Sequence, residues 1–122
     1  MVVSGDDGID EISITGPTRI IEVKDGGTSE AFVAPGDFGL ETAELGDVAG
    51  GTPDENAAAT RAVLEGEKGP RRDLVVLNAA AAIMVGGRAD DFGEGIAAAE
   101  QAIDSGSAAA VLARLVSFTG QA

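Results

Sequence analysis

Cysteine, histidine, tryptophan and tyrosine are all missing from this sequence of 122 residues, and Lys24 and Lys68 are its only lysines. Without cysteine there is no disulfide or thiolate chemistry, and a reducing, cytoplasmic location is permitted. Without histidine the commonest general base and metal ligand is gone. Any chemistry falls to carboxylates, hydroxyls, arginine and backbone groups. Four Phe are the only aromatic side chains, too few for a base-stacking or sugar platform. The longest apolar run, Leu74 to Val85, contains Asn78 and falls well short of the ~20 residues that span a bilayer. Met1-Val2-Val3-Ser4-Gly5 has neither the basic nor the apolar segment of a signal peptide. The expectation is a soluble protein that does not associate with membranes.

What is present in excess is negative charge: 21 acidic residues against 8 basic ones, a net −13. Such a surface repels nucleic acid, so none is expected as a partner. Adaptation to concentrated salt, where the Debye length shrinks to about 3 Å at 1 M, fits this balance. An ordinary acidic surface encoded by a high-GC bacterial genome fits it too. Hydrophobic residues make up 44% of the chain, which excludes disorder as the default and allows one domain with a core of small aliphatic side chains.

Val2-Val3 reads as the end of a strand, with Gly5-Asp6-Asp7-Gly8 turning at once, as if the chain continued a longer one. Glu11 to Thr15 alternates with period two and predicts a half-buried strand. Arg19 to Lys24 and Ser29 to Val33 predict two more, joined by Asp25-Gly26-Gly27 as a hairpin. Asp37 to Gly50 is loop-like, anchored by Phe38 and Leu40. Thr52, Pro53 and Glu55 form a capping box that opens a helix running to Glu65, stopped by Gly66. The run from Leu74 to Val85, with four alanines in a row, predicts a helix apolar almost all round and buried between layers. A third helix is expected from Asp91 to Ser105. Ser107 is placed to N-cap a fourth, with Leu112, Leu115 and Val116 as its apolar stripe. The fold class is therefore α/β, short strands and a hairpin followed by about four helices, in a sheet expected to need strands from elsewhere.

The densest chemistry lies in Gly5-Asp6-Asp7-Gly8-Ile9-Asp10-Glu11, four carboxylates in six positions. A hard divalent cation relieves their mutual repulsion, and Mg²⁺ takes one or two carboxylates plus water and phosphate oxygens. The spacing is not that of an EF-hand. A solvated acidic turn explains the same residues. Arg71 and Arg72 could meet a phosphate or pair with nearby acids. Asn78 reads as a satisfied core amide. Ser13, Thr15 and Thr18 could line a site or follow from strand alternation alone.

Val2-Val3-Ser4-Gly5-Asp6-Asp7-Gly8-Ile9-Asp10-Glu11 resembles the segment of anthranilate phosphoribosyltransferases in which Val-Val-His-Gly leads into Gly-Leu/Ile-Asp-Glu. The likeness continues through Asp37-Phe38-Gly39-Leu40, Gly50-Gly51-Thr52-Pro53-Asp54-Glu55-Asn56-Ala57, Arg61-Ala62-Val63-Leu64, Gly69-Pro70-Arg71-Arg72-Asp73 and Leu77-Asn78-Ala79-Ala80. In this order the motifs cover nearly the whole chain. The resemblance implies the C-terminal part of a nucleoside phosphorylase/phosphoribosyltransferase-type α/β domain over residues 1–122. It implies transfer of phosphoribosyl from 5-phosphoribosyl 1-pyrophosphate to anthranilate in tryptophan biosynthesis, with Asp10 and Glu11 as Mg²⁺ ligands. It also implies partners outside these residues: the glycine-rich pyrophosphate loop, the arginine that contacts anthranilate, and the helical domain through which the parent enzyme forms a homodimer. They come from an N-terminal portion or a second chain. Ser4 departs from the family's usual His. A related pyrimidine nucleoside phosphorylase and a non-catalytic remnant or assembly module are the alternative readings.

Overall fold

A computed structural model describes residues 1–120 of the chain. Three strands, β1 (Val2–Gly5), β2 (Thr18–Lys24) and β3 (Gly27–Val33), form an antiparallel meander in the order β1-β2-β3. The β2–β3 hairpin turns on two residues, Asp25 and Gly26, because Lys24 pairs with Gly27. Their φ values of 52° and 77° give the positive pair that a type I′ turn demands. Among the described residues five helices follow: α1 (Leu45–Val48), α2 (Pro53–Leu64), α3 (Pro70–Val85), α4 (Phe92–Asp104) and α5 (Ser107–Thr119). A short 3₁₀ turn, Pro35–Phe38, leads out of the sheet.

The capping box at α2 forms as its sequence predicts: Glu55 N–H donates to the Thr52 hydroxyl, and Thr52 N–H donates to the Glu55 carboxylate at 2.8 Å. The Thr52 N–H and the Thr52 hydroxyl, both donating to that carboxylate, hold it below its ordinary value. Several expectations need correction. Glu11 to Thr15 forms no strand: Ile12, Ser13 and Ile14 are all buried in succession, so no alternating face exists. The loop-like segment from Asp37 to Gly50 contains α1. Helix α3 starts at Pro70, with Gly69 before it at φ 126°, and although it lies between two buried clusters, one stripe of it stays uncovered. Val76, Leu77, Ala80 and Ala81 are buried while Val75 and Val85 are open to solvent. At α5 it is Gly106, at φ 77°, that holds the N-cap position, and Ser107 is already helical. The expected stripe of α5 is largely uncovered, with Leu115 and Val116 both exposed.

Two buried clusters organise the molecule. Ile12, Ile14 and Ile20 meet Leu77 and Ala81 of α3, with Phe38 and Leu40 packed against them as anchors. Val63, Val76, Ala99 and Ile103 join α2, α3 and α4. Helix α3 belongs to both, so it is the element that ties the irregular segment after β1 to the helical layer. Among the described residues, no helix is long and apolar enough to cross a membrane.

Candidate functional site

Strand β1 ends at Gly5, and the acidic turn is closed by backbone bonds before any side chain acts. Gly5 N–H donates to Ile9 O at 2.9 Å, Gly8 N–H to Gly5 O at 3.0 Å, and Asp6 N–H to Pro17 O at 2.9 Å. Gly8 sits at φ 90°, where a side chain is strained. Gly5 is required for another reason: a Cβ there would lie 2.5 Å from Asp7 Oδ1, 3.2 Å from Ser13 Cβ and 3.3 Å from Ile9 O.

The four carboxylates separate into different roles. Asp7 turns back onto the scaffold, where it accepts hydrogen bonds from the Ser13 and Thr15 hydroxyls and from Ile9 N–H. Partial desolvation pushes its carboxyl upward, but these bonds favour the charged form and together hold it below the ordinary value. A depressed folded-state pKa means stability that is complete above the ordinary carboxylate range and fades as pH falls through the folded value. Urea unfolding at a series of pH values should therefore show Asp7→Asn less stable than the parent near neutrality. The gap should narrow as pH falls below the unfolded Asp pKa of about 3.9 and close only below the depressed folded value. A constant gap across that range would contradict the assignment.

Asp10 and Glu11 are exposed, and among the described residues no hydrogen bond or ion pair engages either carboxylate. The backbone beneath them is nonetheless fixed. Ile12 N–H donates to Asn78 Oδ1 at 2.8 Å, and Asn78 Nδ2 donates to Ile12 O at 2.9 Å. One residue on, Ser13 N–H donates to the Thr18 hydroxyl at 2.8 Å. The pair therefore rides on a segment gripped on the Asp7 side by hydroxyls and on the Ile12 side by an amide. No group of three or more Asp and Glu converges among the described residues. Two free carboxylates suit Mg²⁺, which fills its remaining positions with water and phosphate oxygens. Such a donor set is compatible with that ion, and Asp10 and Glu11 would hold it; the Asp6 carboxylate is likewise exposed and without a side-chain partner among the described residues.

Other singled-out residues have structural employment. Arg72 is buried and its Nη2 donates to Asp104 Oδ1 at 2.8 Å, the ion-pair alternative rather than a phosphate contact. Arg71 reaches Ala49 O at 3.3 Å. Desolvation raises the Asp73 carboxyl above its ordinary value, and Glu100 adds to this while Arg72 and Lys68 oppose it. A concavity between α2, α3 and the preceding loop, lined by Val48, Asn56, Val63 and Leu74 among others, contains neither Asp10 nor Glu11. Residue-level reading missed the inward role of Asp7. Its signal was present in Ser13 and Thr15, two hydroxyls following the turn at spacings six and eight.

Comparison with known proteins places these features in a family. Residues 1–109 match the family described as "Glycosyl transferase family, a/b domain". An anthranilate phosphoribosyltransferase of Paramagnetospirillum magneticum is 51% identical over 120 residues, 98% of this chain and 35% of that protein. The crystal structure of an anthranilate phosphoribosyltransferase from Thermus thermophilus superposes with a TM-score of 0.83 at 39% identity, covering 95% of this chain and 34% of the other. The Saccharomyces cerevisiae enzyme, solved in complex with PRPP and Mg, gives 0.84 at 30% identity over 98% of this chain and 35% of its own. The chain thus spans about a third of the length of the relatives it matches, at their C-terminal end. By the extent of the family match and the mixed α/β fold that goes with it, the chain belongs to the glycosyl transferase family, in its a/b domain.

Proposed function

We propose that residues 1–122 are the C-terminal portion of the α/β domain of an anthranilate phosphoribosyltransferase, a cytoplasmic enzyme of tryptophan biosynthesis. On this reading Asp10 and Glu11 hold the Mg²⁺ that accompanies 5-phosphoribosyl 1-pyrophosphate. The observation that carries the site assignment is the pair of solvent-facing carboxylates without protein partners, on a segment whose backbone is held from both sides. When bound, the ion offsets the charge gathering on the departing diphosphate without any proton transfer. This chain's own work is to present two oxygens at a fixed place. Asp7 and Asn78 restrain the segment, and the Gly5 turn brings it close to the end of β1. The phosphate loop, the anthranilate-contacting arginine and the helical dimerisation domain then belong to another portion of the polypeptide or to a second chain.

Calorimetric titration with Mg²⁺, with and without pyrophosphate, tests the assignment. The parent should bind the ion more tightly when pyrophosphate is present. Asp10→Asn/Glu11→Gln should weaken that binding by more than about tenfold, or 1.4 kcal/mol. Equal affinity in the two proteins would end the metal assignment.

A further inference from the structure

We propose that Asn78 is a positioning residue for the acidic pair, setting its metal affinity through the backbone of Ile12; this rests on the proposed Mg²⁺ reading of Asp10 and Glu11. Ile12 is fully buried yet belongs to no strand, so its N–H and C=O have no ladder to join, and burial leaves neither to water. The Asn78 side chain satisfies both, accepting from the N–H at 2.8 Å and donating to the carbonyl at 2.9 Å. An amide presented this way imitates the edge of a neighbouring strand. Its second amide hydrogen goes to Leu74 O at 3.0 Å, one turn earlier in α3, which fixes the side chain's own orientation. The Ile12 side chain meanwhile packs against Leu77 and Ala81 of the same helix. Backbone and side chain of residue 12 are thus both registered to α3, and Glu11 is covalently next to it.

The consequence is a separation of duties. Asp10 and Glu11 supply oxygens, while Asn78, which contacts neither, decides where those oxygens stand. Outer residues that orient metal ligands are worth about 10–100-fold in affinity. A residue that merely contributes packing should change stability and leave affinity alone.

Three variants separate these outcomes, each titrated with Mg²⁺ in the presence of pyrophosphate at a temperature where it is fully folded. Asn78→Leu removes all three hydrogen bonds at similar volume. Asn78→Asp keeps the acceptor for Ile12 N–H and loses both donations, and it carries the test if the leucine variant does not fold. Ile103→Ala opens the other buried cluster and serves as the control for lost stability. Asn78→Leu should bind Mg²⁺ about tenfold or more weakly, Asn78→Asp should fall between it and the parent, and Ile103→Ala should stay within about twofold. Amide hydrogen exchange at Ile12 should quicken in both Asn78 variants before any metal is added. Parent-like affinity in the Asn78 variants, or equal losses in Ile103→Ala, overturns the positioning role. Failure of the parent to bind, or unchanged affinity in Asp10→Asn/Glu11→Gln, overturns the metal reading and this proposal with it.

Discussion

Asp104→Ala is expected to lower the unfolding free energy by about 3 kcal/mol, a fall of roughly 10 °C in Tm for a chain of this size. The cause lies at its partner. Arg72 is 2% exposed, and its Nη2 is paired with Asp104 Oδ1 at 2.8 Å. Its Nη1 is buried without a hydrogen-bond partner among the described residues. Lys68, 3.9 Å from the other Asp104 oxygen and largely exposed, is itself a cation and offers Arg72 no compensation. The partly buried Asp73, whose carboxyl feels the Arg72 charge, opposes that charge only in part. A guanidinium does not deprotonate, so removing Asp104 strands a full charge in the interior. Stranded charges of this kind cost about 3–5 kcal/mol, and the half-exposed side of Asp104 admits enough water to place this one at the low end. Arg72→Met/Asp104→Ala should be more stable than Asp104→Ala alone, because the stranded charge has gone. Urea unfolding of the three proteins decides the matter. A loss below about 1 kcal/mol in Asp104→Ala would mean that the pair behaves as a surface ion pair.

Gly95→Leu should be at least as damaging, at about 3 kcal/mol or more. Helices α3 and α4 meet backbone to backbone at this glycine: a Cβ built on it lies 2.9 Å from Ala80 O, 3.0 Å from Ala80 Cβ and 3.1 Å from Ala80 Cα. None of these atoms can swing aside, since two are main chain and the third is fixed to it. Gly95→Ala gains up to about 1 kcal/mol of helix propensity, which offsets much of its milder clash. Leucine has no such offset, and it must push the helices apart. Ala80 follows Asn78 by two residues on α3, so the displacement should also loosen the grip on Ile12. The expected pair of results is a lower urea midpoint together with weaker Mg²⁺ binding in whatever fraction remains folded. Full retention of the parent midpoint would show that α3 and α4 can separate freely.

Elements whose cause is local were legible from the residues. The Thr52–Glu55 box and the Asp25-Gly26 turn each need only neighbours within three positions, and both form. Phe38 and Leu40 declare themselves as anchors because they are large apolar residues at the head of a largely polar stretch. Asn78 could be recognised as a satisfied amide, since a polar group inside an apolar helix needs a partner. Its partner could not be named, because nothing near Asn78 points to Ile12. The same limit explains the misassigned strand. Glu11 to Thr15 carries the alternation of a strand, but its N–H groups at Ile12, Ser13 and Thr15 donate to side chains, those of Asn78, Thr18 and Ser13, which periodicity does not register. At the acidic turn, composition announced the charge but not its division into an inward Asp7 and an outward pair. That division depends on which carboxylate the Ser13 and Thr15 hydroxyls reach in three dimensions.

Ile12 and Asn78 are 66 positions apart, and this distance has a meaning in time as well as in space. At roughly 5–20 residues per second of translation, the acidic segment leaves the ribosome several seconds before the amide that will hold it exists. A nascent chain therefore carries Ile12 without its amide partner while the next 66 residues are made. Closing so long a loop waits on the docking of a whole helix, so the amide's hold on the segment behind Asp10 and Glu11 comes only after α3 has been made.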